Sequence, residues 1–213
     1  MLSRKNKILH MEEKIEKFRK GIFNLQTRRF GTFAEIMIRT KFNLKKSGKK
    51  EYDAIDEDGN HIEIKFARVI RKSNKTIDES TVIDVVENEP TLFKNALPST
   101  NTTDQFSPNI EQVKPEKFDY LYYGLFFTDY IYIYRISSKE IKKINYTNTM
   151  HAGEPVPGQI EEGQFHIDNT NIKLHEKYRL KDKIMTYEDL YNLLNEQAER
   201  LKAEKAAKKN RKK

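Results

Sequence analysis

Glu51-Tyr52-Asp53-Ala54-Ile55-Asp56-Glu57-Asp58-Gly59-Asn60-His61-Ile62-Glu63-Ile64-Lys65-Phe66 reads as two short strands joined by a tight turn. Side chains alternate faces along a strand, so Ile62, Ile64 and Phe66 share one face while Glu63 and Lys65 share the other. One face is apolar and suits a core. The other carries two opposite charges two residues apart, a pattern that a metal-dependent hydrolase uses and a core does not.

The turn decides whether Asp53 joins them. A two-residue loop would put Asp53 and Glu63 on opposite faces. A three-residue loop, Glu57-Asp58-Gly59 with Gly59 left-handed, is a common hairpin connection. It predicts Asp53 directly across from Glu63, with Lys65 one step along on the same face. Opposed carboxylates repel unless something neutralises them. Mg²⁺ is the expected partner, because it is usually held by one or two carboxylates plus water and phosphate oxygens. Lys65 then either orients and deprotonates the attacking water or offsets charge on the phosphate. The alternative is an exposed hairpin with charged outer residues.

Asp53 followed by Glu63-Ile64-Lys65 resembles the PD-(D/E)xK nuclease motif found in many Type II restriction endonucleases. Tyr52 stands where that motif usually has proline. Two later stretches extend the likeness to about residues 30–195. Ile110-Glu-Gln-Val-Lys-Pro-Glu-Lys-Phe-Asp-Tyr-Leu121 looks like the approach to the strand after the catalytic hairpin, and Gly153 to His175 like a downstream recognition region. The resemblance implies a restriction-endonuclease-like fold and Mg²⁺-dependent, site-specific hydrolysis of double-stranded DNA that leaves 5′-phosphate ends. Asp53, Glu63 and Lys65 are then the catalytic residues. It also implies a homodimer, a cognate DNA methyltransferase as functional partner, and a helical glutamate, here Glu35, lending a third carboxylate to the metal. Two alternatives stand beside it: a Holliday-junction resolvase or repair nuclease of the same superfamily, and a non-catalytic basic nucleic-acid-binding protein.

Composition agrees with a polyanion partner. The net charge is +8 and the pI about 9.3, which favours nucleic acid. Cysteine is absent, so no thiolate metal site exists and a reducing cytoplasm is the expected compartment. No apolar run is long enough for a bilayer, and the basic start is followed by a polar helix rather than an apolar signal core, so neither membrane nor export is expected.

Around the hairpin, the pattern predicts one α/β domain over residues 1–201, a mixed central sheet flanked by helices. Its parts are a helical stretch 8–42, the catalytic hairpin 51–67 and a recognition region 146–180. The first helix is expected over Ile8–Arg29, with Ile8, Met11, Ile15, Phe18, Ile22 and Leu25 inward. Gly31 interrupts, and Thr32 with Glu35 forms a capping box opening a second helix with Phe33, Ile36, Met37 and Phe42 inward. That cap is the structural alternative for Glu35. Lys45–Lys50 is expected as a basic loop. Arg68, Arg71 and Lys72 lie just past the hairpin, where cations hold a DNA strand or reach a base edge.

Residues 90–115, rich in Pro, Ser, Thr and Asn, predict a long surface excursion. Phe118–Phe127 and Tyr130–Ile136 predict two strands, the first central and covered on both faces. Ser137–Glu140 opens a short helix with Ile141 and Ile144 inward. Gln159, Gln164 and His166, in a glycine-punctuated polar stretch, are candidate base readers, since amides pair with adenine in the major groove. His151, His166 and His175 match no zinc spacing. Thr186–Asp189 opens a last helix, with Tyr187, Leu190, Leu193, Leu194 and Leu201 inward. Residues 202–213 are a basic tail, expected to be frayed or disordered and to attract DNA without regard to sequence.

Overall fold

The most apolar strand lies in the middle of the sheet. In the computed structural model, which describes residues 4–72, 77–88, 91–147 and 163–210, Tyr120–Phe126 (β5) is buried along nearly its whole length. It pairs parallel with His61–Arg68 (β3) and antiparallel with Tyr130–Ser137 (β6). Lys45–Lys46 (β1), Ala54–Ile55 (β2) and Met185–Thr186 (β8) complete a six-stranded mixed sheet, ordered β1-β2-β3-β5-β6-β8. The expected α/β architecture of a mixed sheet flanked by helices is what forms. β1 is a departure: the basic loop expected at 45–50 begins as a short strand paired with β2.

Alternation along β5 divides the core in two. Tyr122 and Phe126 face the helices, joined by Ile62 and Ile64 of β3 and Ile131 and Ile133 of β6. Leu121, Tyr123 and Leu125 face the other way, with Tyr134 and Ile136 of β6. The first face is covered by Arg4–Phe23 (α1), Thr27–Lys41 (α2) and Tyr187–Asn210 (α5). The second is covered by a ribbon of Asn109–Val113 (β4) and Gly163–His166 (β7), together with the 3₁₀ turn Ser138–Lys143. Gly124 of β5 lies opposite Phe66 in register, and a Cβ there would run into the Phe66 ring and the Tyr132 carbonyl.

The 90–115 segment corrects the expectation of a surface excursion. Leu97, Phe106, Ile110 and Val113 are buried, because a parallel β3–β5 pair needs a crossover and this one lines the second core. Val82–Asn88 (α3) and Ile172–His175 (α4) are short helices.

The helix boundaries also differ. The break falls at Asn24–Gln26, and α2 runs through Gly31 and Thr32. The Thr32 hydroxyl donates back to the Arg28 carbonyl, so it caps nothing and the expected capping box does not form. What ends α1 comes from far along the chain: the Arg68 guanidinium donates to the carbonyls of Phe23 and Leu25, at 2.7 and 2.6 Å. A capping box does form at Thr186 and Asp189, where each side chain accepts the other's backbone N–H at 3.1 Å. Ile141 and Ile144 are buried as expected, whereas Ile8, Met11, Ile36 and Leu201 are solvent-facing rather than inward. α5 carries the basic tail onward as helix to Asn210, where a frayed helix or disorder was expected. Its Ala, Lys and Glu content favours helix, and Lys202 pairs with Glu199 one turn back. Among the described residues no helix is long and apolar enough to cross a membrane.

Candidate active site

The hairpin turn is a three-residue loop. Asp56 and Asn60 close it, and Gly59 takes the left-handed conformation (φ 85°). The Asp56 carboxylate fastens it by accepting the backbone N–H of Asp58 and Asn60 and the Asn60 amide. This turn sets the register Ala54↔Ile62 and Ile55↔His61. Continued one step, it would put Asp53 opposite Glu63. The ladder instead ends at Ala54, and the Asp53 amide bonds the Ile62 carbonyl. Its carboxylate reaches sideways to accept the Ile64 N–H at 2.9 Å. Ser47 N–H bonds the Asp53 carbonyl, so backbone and side chain are both held. Tyr52, in the place of the motif's proline, stacks on His61 with ring centroids 4.1 Å apart and staples the hairpin.

Asp53, Glu63 and Lys65 all line one cleft of about 340 Å³. Lys65 Nζ lies 2.8 Å from Glu63 Oε1. Lys50, Lys114 and Lys117 add cations to its wall, with Glu51 and Gln112. Glu63 is 9% exposed, and burial pushes its pKa up to about 7; Lys65 opposes that shift and the Asp53 charge adds to it. Burial likewise raises Asp53, against the pull of Lys65 and the Ile64 N–H. Glu35 on α2 is raised by burial and then by Asp53. Burial alone would lower Lys65, but Glu63, Asp53 and Glu35 outweigh it and its pKa moves up. Of the two roles expected for Lys65, a raised pKa favours the charged amine that offsets phosphate charge over the base.

Among the described residues no group of three His, Cys, Asp or Glu stands together as a ready metal cage. Two carboxylates, with water and phosphate oxygens filling the remaining positions, are the donor set Mg²⁺ commonly takes, and Asp53 and Glu63 fit it. Glu35 does not line the cleft, although its charge and that of Asp53 act on each other.

The expected DNA contacts separate. Arg68 is spent on the end of α1 and lies over the Phe30 ring at 4.6 Å, which makes it a structural clamp. Arg71 pairs with Asp104 at 3.0 Å. Lys72 lines a smaller pocket beside Asp168 and Asn169, away from the carboxylates. Gln164 is buried in β7, where its side-chain oxygen accepts from Asn109 at 2.6 Å, so it is not a surface reader. His166 is exposed at the end of β7, its Nδ1 3.4 Å from the Ser107 hydroxyl, and it does not line the cleft. Gln159 and His151 lie outside the described residues. His175 is a core residue: Tyr123 OH meets its Nδ1 at 3.0 Å, and burial lowers its pKa to about 4, so it stays neutral.

Sequence reasoning missed Gln112, Lys114 and Lys117 as cleft residues. Lys114-Pro-Glu-Lys117 is visibly basic, but no local pattern says which way it faces. No family model matches the sequence, and no curated protein matches it.

Proposed function

We propose that the protein is a Mg²⁺-dependent endonuclease of the PD-(D/E)xK superfamily, with a restriction-endonuclease-like fold, cutting double-stranded DNA at specific sites as Type II restriction enzymes do. The observation that carries this is the convergence of Asp53, Glu63 and Lys65 on one cleft walled by further lysines. Asp53 and Glu63 would hold the cation, with the charge of Glu35 acting on Asp53. Mg²⁺ held there would supply Lewis-acid polarisation of the scissile phosphate and a more acidic water. Lys65, kept protonated by its carboxylate neighbours, places a positive charge where the phosphate oxygens gain negative charge in the transition state. Lys50, Lys114 and Lys117 attract the backbone on either side, a contribution that weakens as salt rises. The Ile64 N–H fixes one Asp53 oxygen and so limits where the other can point. A homodimer on a palindromic site, protected in the cell by a cognate methyltransferase, fits this activity.

The test is incubation with plasmid and phage DNA in Mg²⁺ or in EDTA. Discrete fragments in Mg²⁺ alone support the proposal. Cleavage confined to branched DNA points to a resolvase, and retardation without cleavage to a binding protein. Asp53→Ala is expected to lose cutting while still binding DNA in Ca²⁺; cutting by that variant at the wild-type rate rejects the assignment.

A further inference from the structure

Among the described residues two other than glycine hold a left-handed backbone, Asn43 (φ 53°) and Gln112 (φ 57°). Asn43 has a structural reason. It follows the C-cap of α2, where Leu44 N–H bonds the Arg39 carbonyl and closes the helix end, and Asn tolerates this conformation well. Gln112 closes no helix. It sits at a register break in β4, between Ile110↔Phe165 and Val113↔Gly163, where Glu111 and Gln112 together face Gln164. The extra residue lets Ile110 and Val113, three apart, both be buried. It also turns Gln112 outward, onto the wall of the cleft that holds Asp53, Glu63 and Lys65.

Two glutamines thus meet at one break with opposite fates. Gln164 is buried and bonded to Asn109. Gln112 is exposed, and no hydrogen bond ties its carboxamide to another described residue. Among the described residues that line the cleft, every other side chain is charged. The lysines serve phosphates, which only accept hydrogen bonds. A carboxamide offers a donor and an acceptor side by side, the pair that matches N6–H and N7 of adenine in the major groove. Glycine would meet the backbone demand of this break with less strain, and the long amide that stands there instead favours a role for the side chain.

We propose that Gln112 is a specificity-determining residue, reading an adenine edge beside the bond that is cut; this rests on the endonuclease function proposed above. The experiment is sequencing of the fragment termini produced by wild-type protein, Gln112→Ala and Gln112→Gly in Mg²⁺. Wild-type termini are expected to share an A·T pair next to the cut. Both variants are expected to lose preference for that pair by about tenfold or more, with the other positions of the site unchanged. Gln112→Gly relieves the left-handed strain, so its loss of preference cannot be laid to misfolding. If a variant does not cut, competition binding in Ca²⁺ between the site and a duplex with that pair exchanged gives the answer: equal binding supports the proposal, and the wild-type ratio overturns it. An unchanged consensus in both cutting variants also overturns it while leaving the endonuclease standing. A wild-type protein that yields no Mg²⁺-dependent termini fails at the earlier step instead.

Discussion

The Asp53–Lys65 hairpin and the β4–β7 ribbon both contribute to the wall of one cleft, yet they are built in different ways. In the hairpin, the placement of Glu63 and Lys65 follows from neighbours in sequence: a three-residue loop, a left-handed Gly59, and a two-residue period that puts Glu63 beside Lys65. In the ribbon, placement follows from a pairing between segments about 50 residues apart, and a single extra residue decides which glutamine is buried and which is presented. A charged cluster can therefore be written locally while the surface beside it is set by long-range register.

That contrast predicts graded outcomes. The largest effect is expected in the hairpin. Lys65→Ala should slow single-turnover cleavage by on the order of 100- to 1,000-fold, the usual loss when one transition-state charge partner is removed. DNA affinity measured in Ca²⁺ should change far less. Equal losses in binding and rate would make Lys65 an ordinary phosphate contact.

Next come two residues that the sequence assigns to DNA and the structure assigns to the fold. Arg68→Ala should cost about 2 kcal/mol in chemical denaturation, because two carbonyls at the end of α1 lose a charged donor. Gln164→Ala should cost about 1–2 kcal/mol for its lost buried hydrogen bond. Neither should alter the salt dependence of DNA binding. A shallower salt slope in Arg68→Ala would return that residue to the interface.

A third outcome is set by pH. Burial raises Glu63 to about 7 in the metal-free protein, so below that pH a cation must displace its proton. Mg²⁺ affinity should rise by up to about tenfold per pH unit approaching pH 7 and flatten above it. Stability of the metal-free protein should run the other way. The folded state holds the Glu63 proton between pH 4.5 and about 7 while the unfolded state does not. Stability from this group is thus full below 4.5 and lost as pH climbs through 7. His175, lowered to about 4, pulls the opposite way over part of that range, so the check is melting in EDTA of wild type against Glu63→Gln: wild type should lose stability relative to the variant as pH rises, and a relative gain would show that Lys65 has overcome the burial of Glu63.

The smallest effect concerns the end of α5. Removing residues 202–213 should weaken non-specific DNA binding only a few-fold at physiological salt and leave the cleavage consensus intact. A changed consensus would place that helix among the readers.

Legibility followed the same divide. The mixed sheet, the central β5 and the loop at Gly59 were all readable, because period, turn chemistry and apolar run length are local. The end of α1 was misplaced at Gly31, since the side chain that settles it, Arg68, arrives from more than 40 residues away. Gln164 looked like a reader because glycines and polar residues surround it, but pairing with β4 buries it. Glu35 had a capping explanation that vanished once α2 was seen to start at Thr27.

The central claim is that Glu63 is buried beside Asp53 for catalysis and not to anchor a salt bridge to Lys65. Cleavage and thermal melting of Glu63→Gln beside wild type, the melt in EDTA above pH 7, decide between the two. A carboxylate held for a cation should be dispensable to the fold, so this variant is predicted to melt at or above the wild-type temperature and to cut no DNA in Mg²⁺. A variant that melts several degrees lower yet still cuts at the wild-type rate contradicts the account.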